Sequence, residues 1–599
     1  MDNQQIIIIN NSDLPCILTG PATYKFKDNL TYDPLSENTT AITIETNDIT
    51  IDLTNYEIKQ KEGNQYLTTC IKVTPGQNNI HIINGKINGF NGSAIHFEGP
   101  NEKFTITNIH ISNCGSDSRF NLSDISFSTD SGIKLGNELL GEGEDKSVSF
   151  GQIDNITITN CKNKGISISA DQHIIIQDTV IENIYTNIPS LIVASVDIRC
   201  KASANILGKR GNNITIQRCT FKKVESNVLC KGGVLFGLGI FQFDHVVIKD
   251  CLIQDSISMN PVNSNAFFCC NLLVAGLTNA IIKGNRFINA ISSGTYFNEN
   301  FHSSANTLNN GLGITNTIKM TDCISYTSIG DFIVSSFEIA YSTKDTVISN
   351  CQSFNVKCRG INPGTLPLIV PEAIGFIFCG GRAFTCSLDQ EEDNRRGNLS
   401  GLIVHNCSSA NVKTEKGIAS AFSYNPGLFN KYKETGKDPK DLTLTDTVNC
   451  SNIQFSSCRS INIKTENGLG SGFIIDKGLF PSSDALLCVS MLVLNGDNNA
   501  GNKPMFKYIP YKYADSLTNI TLRDCIITNC HGTDANSSAI ILSGLDDKPI
   551  IDNCLIENCN NDILLTGGLI EIGNLYPGIP GILDPVPNEP VDLKMTVKY

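Results

Sequence analysis

The amino-acid sequence predicts an all-β solenoid of stacked parallel coils, and three observations carry that expectation. The first is internal repetition: NCQSFNVK from Asn350, NCSSANVKTEKG from Asn406 and SCRSINIKTENG from Ser457 are versions of one phrase. The second and third continue in step through GIASAF from Gly417 and GLGSGF from Gly468 to a Gly-Leu-Phe ending at Phe429 and Phe480. Equal spacing over such a length is the mark of units that stack on their neighbours. The second observation is a grammar of short alternating apolar runs, each closed by Asn, Asp or Gly, which reads as strand, turn, strand. The third is that no helical pattern of 10 to 15 residues separates these runs, which argues against a doubly wound sheet.

Taken in order, residues 1–40 are expected to cap the solenoid. The phrase PCILTGPATYKFKDNL from Pro15 leads to AITIET from Ala41 and DITIDLTNYEI from Asp48. Pro15, Ile17, Gly20, Pro21, Tyr24, Asn29 and Leu30, then Ile44 and the run Ile49 to Leu53, resemble the opening of right-handed parallel β-helix proteins of the pectin-lyase-like superfamily. The resemblance implies a right-handed parallel β-helix with an N-terminal capping segment. It departs at Thr54, where that family has Asn and this chain supplies Asn55 one place later. No catalytic residue comes with this match.

Residues 41–575 repeat the grammar, from NIHIINGKINGF at Asn79 and NITITNCKNKGISI at Asn155 to IIDNCLIENC at Ile550. The recurrent Asn-Cys pair predicts a left-handed Asn at a turn followed by a small inward filler, with Asn113, Asn160, Asn350, Asn406 and Asn553 stacked at one corner. Lys357, Lys413 and Lys464, with Glu415 and Glu466, read as an outward charge ladder. Three insertions, 379–398, 423–442 and 476–516, are expected to leave equivalent strands on one edge. The tail, 576–599, is rich in proline, which removes ladder donors, so it reads as an extended strap over the last coil.

Composition limits the partners. A net charge of −13 with 18% charged residues disfavours nucleic acid, which needs clustered Lys and Arg. No stretch reaches the roughly 18 uninterrupted apolar residues of a membrane span. MDNQQIIIIN lacks a basic n-region, so a soluble chain without a signal peptide is expected. The 23 cysteines are an odd number in a long chain, and free thiols are the expectation. Cys525, Cys530, Cys554 and Cys559 repeat at the interval of stacked coils, whereas zinc ligands come as closer pairs, so no metal is expected.

Galacturonan hydrolases of the pectin-lyase-like superfamily carry paired carboxylates and a Gly-His-Gly; here Asp130 lacks an adjacent Asp, and Asn163-Lys164-Gly165 stands in place of the latter. The lyases need carboxylates that hold calcium and an Arg or Lys base, for which Asp389, Glu391, Glu392, Asp393, Arg395 and Arg396 are the candidate material. Calcium would be required only on that alternative, and no other cofactor is expected. A contact surface is the other candidate: Tyr424, Phe429 and Tyr432 in one insertion, and Phe506, Tyr508, Tyr511 and Tyr513 in another, interleave with lysines. Aromatic faces suit sugar rings or protein partners. The first expectation is therefore a non-enzymatic structural or surface β-helix protein that binds glycan or protein through its loop edge. A polysaccharide lyase acting on the same loops is the alternative. The Ile and Asn bias is similar to that of β-helix proteins of large DNA viruses of amoebae, which implies a virion or host-cytoplasm setting and leaves a homotrimer open.

Overall fold

The computed structural model describes residues 5–116, 131–136, 147–187, 190–200, 210–261, 266–304, 316–340, 345–361, 371–379, 381–382, 396–397, 400–425, 428–429, 449–477, 511–512, 516–566 and 594–598. The chain divides into two compact units, Met1–Met259 and Asn260–Tyr599. Each is built as a parallel β-helix, in which a strand pairs with its equivalent one coil earlier and one coil later. No helix among the described residues is long and apolar enough to cross a membrane.

In the first unit, Ile49–Asp52 pairs with Asn78–Asn88, and the series continues through Asn101–Ser112, Val148–Asp154, Lys164–Gln177, Gly211–Gln217 and Phe243–Lys249. This register aligns Ile51, Ile82, Ile106, Ile153, Ile176, Ile216 and Ile248, all fully buried. The period of two in the sequence causes this, because alternate side chains leave a strand on opposite faces and the β-branched ones fill the interior. Burying each isoleucine contributes about 1.5 to 3 kcal/mol. The residues that carried the family resemblance have identifiable work. The Tyr24 hydroxyl donates to the Gly20 carbonyl at 3.0 Å, and Asn29 Oδ1 accepts from the Glu57 amide at 2.9 Å. At the departure point both Thr54 (φ 52°) and Asn55 (φ 66°) are left-handed, with the Thr54 amide held by Asp52 Oδ1 at 2.9 Å.

The second unit repeats the plan, aligning Ile282, Met320, Ile348, Val404, Phe455, Leu522 and Ile551. Beside that column Phe337, Phe376, Phe422 and Phe473 stack with successive ring centroids 4.8, 5.0 and 4.8 Å apart. Those distances match the spacing of neighbouring strands, so the rings stack because the backbones do. Lys357, Lys413 and Lys464 are in register, and Lys357 Nζ lies 3.7 Å from Glu415 Oε1. Lys594–Lys598 pairs in parallel with Ile550–Glu557.

The turns correct one expectation. Asn113 and Asn160 do not belong to the same kind of corner as Asn350, Asn406 and Asn553. Asn113 and Asn160 follow by five residues another left-handed Asn, Asn108 and Asn155, whereas the other three precede one, Asn355, Asn411 and Asn558. Asn113 and Asn160 thus sit one left-handed position later in their coils than Asn350 and Asn406, and a further left-handed residue precedes each pair by five, at Lys103, Phe150, Asp345 and Gly401. In the second unit Asn406 Nδ2 donates to Asn350 Oδ1 at 2.9 Å at one corner; at the other, Asn411, Asn462, Asn529 and Asn558 each donate to the Asn of the preceding coil, beginning with Asn355. Both corners impose one demand, a left-handed residue and then a buried apolar one, which is Cys at Cys407 and Val at Val412, so an Asn-Cys dipeptide can serve either.

Candidate functional sites

The insertions leave a platform of three strands paired in succession, Glu372–Cys379, Gly417–Asn425 and Gly468–Asp476. The first insertion returns on itself: Gly381–Arg382 pairs antiparallel with Arg396–Gly397, setting Arg382 opposite Arg396 in the ladder. Asp389, Glu391, Glu392, Asp393 and Arg395 fall outside the described residues. The second and third insertions are joined to each other. Leu428 and Phe429 pair antiparallel with Lys512 and Tyr511, which brings backbone of the two aromatic segments together. Tyr432, Phe506, Tyr508 and Tyr513 fall outside the described residues.

Tyr424 requires a correction, because it is not a surface aromatic. Its strand runs on to Asn425, with Phe378 and Ile475 as its partners in the neighbouring strands, and its side chain is fully buried. Burial, the nearby Cys450 and Asp476 push its hydroxyl pKa well above the ordinary tyrosine value, so it is a neutral core residue.

Buried charge was not legible in the sequence, and two of the places that hold it are clusters of three groups. In the first unit, Lys164 Nζ lies 2.8 Å from Asp197 Oδ2, and Arg199 Nε lies 2.9 Å from Asp197 Oδ1. Asp197 is wholly buried, Lys164 is 1% exposed, and the Arg199 guanidinium stands 4.8 Å over the Phe241 ring. Burial works to raise the Asp197 carboxyl, but the charges of Arg199 and Lys164 and their hydrogen bonds overcome it and hold it below the ordinary value.

In the second unit the strand Thr295–Ser304 carries Glu299 and His302. Ordinarily residues three apart on a strand point to opposite faces. Here the ladder steps over Asn300 on both sides, and two successive residues turn the same way. Asn300 Nδ2 donates to Ser325 Oγ at 2.7 Å and Ser328 Oγ at 2.9 Å, while Phe301 packs against Phe287, the register partner of Ser325. The step leaves Glu299 and His302 together on the other side. Glu338, on Ile333–Ala340, is the direct cross-strand partner of His302. His302 Nδ1 lies 2.9 Å from Glu299 Oε2 and 4.0 Å from Glu338 Oε1, and one ligand atom from each residue lies within 4.8 Å of the others. All three are buried, and Phe268 meets the imidazole edge to face at 4.7 Å.

Each described cysteine side chain is a free thiol. Cys351, Cys407 and Cys458 each donate to the carbonyl two residues earlier and to one in the preceding coil. Cys559 differs: it is half-buried, and its hydrogen bond with Cys530 lowers its thiol to about 7.

No protein-family model matches the chain, and no curated protein does. Among solved structures it is similar to the mannuronan C-5 epimerase AlgE6 A-module of Azotobacter vinelandii, with a TM-score of 0.33 at 10% identity, covering 62% of this chain and 83% of that one. It is also similar to the PL6 family alginate lyase AlyGC, with a TM-score of 0.30 at 9% identity over 93% of this chain and 77% of that one. A third is PfbA, a surface adhesin of Streptococcus pneumoniae, with a TM-score of 0.27 at 11% identity over 68% of this chain and 82% of that one. Identities of this size speak to the fold alone, and scores this low add nothing to the parallel β-helix already read from the strand pairing.

Proposed function

We propose that this protein is a non-enzymatic binding scaffold whose β-helix presents the insertions of its second unit to a glycan or protein surface. The observation that supports the reading is the antiparallel pairing of Leu428–Phe429 with Tyr511–Lys512. Two chain segments far apart in sequence, each rich in aromatics and lysines, are tied together beside a rigid platform. Recognition loops on a fixed scaffold are positioned in this way, because ordering them beforehand lowers the entropy cost of binding. The buried, paired state of Lys164, Asp197 and Arg199 makes that cluster a poor place for a general base, since a base engaged by its own counter-ions is poorly placed to take a proton from substrate.

The test is a glycan array together with pull-downs from candidate host material, using the wild type and a Phe429→Ala/Tyr511→Ala variant. Selective capture that the variant loses while keeping its unfolding midpoint supports the reading. Empty arrays and empty pull-downs overturn it. The lyase alternative draws on the basic residues Arg395 and Arg396 of the first insertion, whose charge suits an anionic polysaccharide. Release of unsaturated uronate products, with and without calcium, would establish it in place of simple binding. A virion setting rests on composition, and absence from the proteome of purified particles would remove it.

A further inference from the structure

We propose that Glu299, His302 and Glu338 form a buried three-ligand site for a divalent transition-metal cation, taking Zn²⁺ through one carboxylate oxygen of each glutamate and Nδ1 of His302 and leaving its fourth position to water. The inference is independent of the binding edge and rests on how the three side chains converge. A single Nδ1–H reaches Glu299 Oε2 at 2.9 Å, but Glu338 Oε1, at 4.0 Å, is beyond hydrogen-bond length from the same nitrogen. One proton therefore cannot join all three groups through that atom. A cation can: ligands about 2.0 to 2.1 Å from tetrahedral zinc stand about 3.3 to 3.5 Å apart, a separation that the two observed distances bracket.

Burial fits a cation that is held rather than exchanged. Both glutamate side chains are 0% exposed and His302 is 1% exposed. Two carboxylates that converge on one imidazole in a low-dielectric place attract a divalent ion strongly. His302 Nε2 meets no hydrogen-bond partner among the described residues, so polar contacts orient the ring only through Nδ1. With the cation bound at Nδ1, the ring hydrogen sits on Nε2. An imidazole in the donor set selects zinc over magnesium or calcium, which prefer all-oxygen shells. The backbone step at Asn300 matters here, because without it Glu299 and His302 would lie on opposite faces.

The test uses the full chain, stripped with a chelator under reducing conditions and dialysed against buffered micromolar Zn²⁺, Mn²⁺, Ca²⁺ or Mg²⁺, followed by elemental analysis. The expected result is about one zinc per chain, no calcium or magnesium, and a loss of affinity of at least about 100-fold in His302→Gln and in Glu338→Gln, beyond the range of outer-shell changes. A Co²⁺ adduct with visible ligand-field bands but no sulfur charge-transfer band assigns the ion to oxygen and nitrogen donors and away from the cysteines. Glu338→Gln is nearly isosteric and carries the test should His302→Gln fail to fold. Zinc below about a tenth of an equivalent in folded wild type, or uptake equal in wild type and folded variants, overturns the proposal; the first outcome leaves a proton-sharing network and the second leaves thiol binding.

Discussion

The two buried charge clusters solve the same problem in opposite ways. Around Asp197 one carboxylate sits between two cations, Lys164 and Arg199, and its pKa is held down. Around His302 the order is reversed, with one imidazole between two carboxylates. Glu372 adds a third case. It is buried between its register partners Ile333 and Ile418, and burial, with the Asp476 charge, pushes its pKa up to about 8. What distinguishes the three is the sign of the nearest charge, because burial alone always favours the neutral carboxyl.

The largest effect should come from Asp197→Ala, which leaves Lys164 buried without its carboxylate. We expect a loss of about 3 to 5 kcal/mol in urea unfolding, while Asp197→Leu combined with Lys164→Met should recover most of it. Wild type carries this contribution above the ordinary Asp value of about 3.9 and loses it as pH falls through the lower native pKa. An acid-unfolding curve that Asp197→Asn does not change would break the contrast between the clusters.

Glu372 carries the opposite sign. Its native pKa is raised, so its contribution is present at acid pH and declines as pH rises from about 4.3 toward 8. Glu372→Gln should therefore stabilise the protein by on the order of 3 kcal/mol at pH 8 and by little at pH 4. Equal midpoints at the two pH values would show that the carboxyl ionises freely.

Zinc sharpens the same comparison. At about 100 times its wild-type Kd it should raise the stability of wild type by about 2.7 kcal/mol and that of Glu338→Gln by no more than about 0.4 kcal/mol, as read by thermal unfolding at fixed protein concentration. The smallest effect belongs to the exposed pair Arg218 and Asp178, whose nitrogen and oxygen lie 2.7 Å apart. Arg218→Ala should not move the urea midpoint detectably, since solvent screens such pairs. A clear loss there would mean that geometry outweighs burial in this chain.

The coil was legible in the sequence because its demands are local. Alternation marks the inward face of Ile80–Ile82 or Val404, and a left-handed position needs Asn or Gly whatever the rest of the chain does. The buried clusters were hidden for the converse reason. Glu299 in NENFH reads as an outward polar residue, and only the ladder step at Asn300 turns it toward His302. Glu338 meets His302 through register, which depends on the length of the segment between their strands and not on any residue pattern. Tyr424 was misplaced because the strand Gly417–Asn425 continues past the apolar run that signals it. The acidic and basic candidates from Asp389 to Arg395 lie outside the described residues.

The in-register platform makes the repeat a removable cassette. Ser420 and Phe422 meet Ser471 and Phe473 on one side, and Ile374 and Phe376 on the other. Excising the middle copy at equivalent positions would place Phe376 against Phe473, preserving the aromatic stack while subtracting one insertion. Such a chain can gain or lose an insertion by unequal exchange between its own copies, without redesigning the core that carries it.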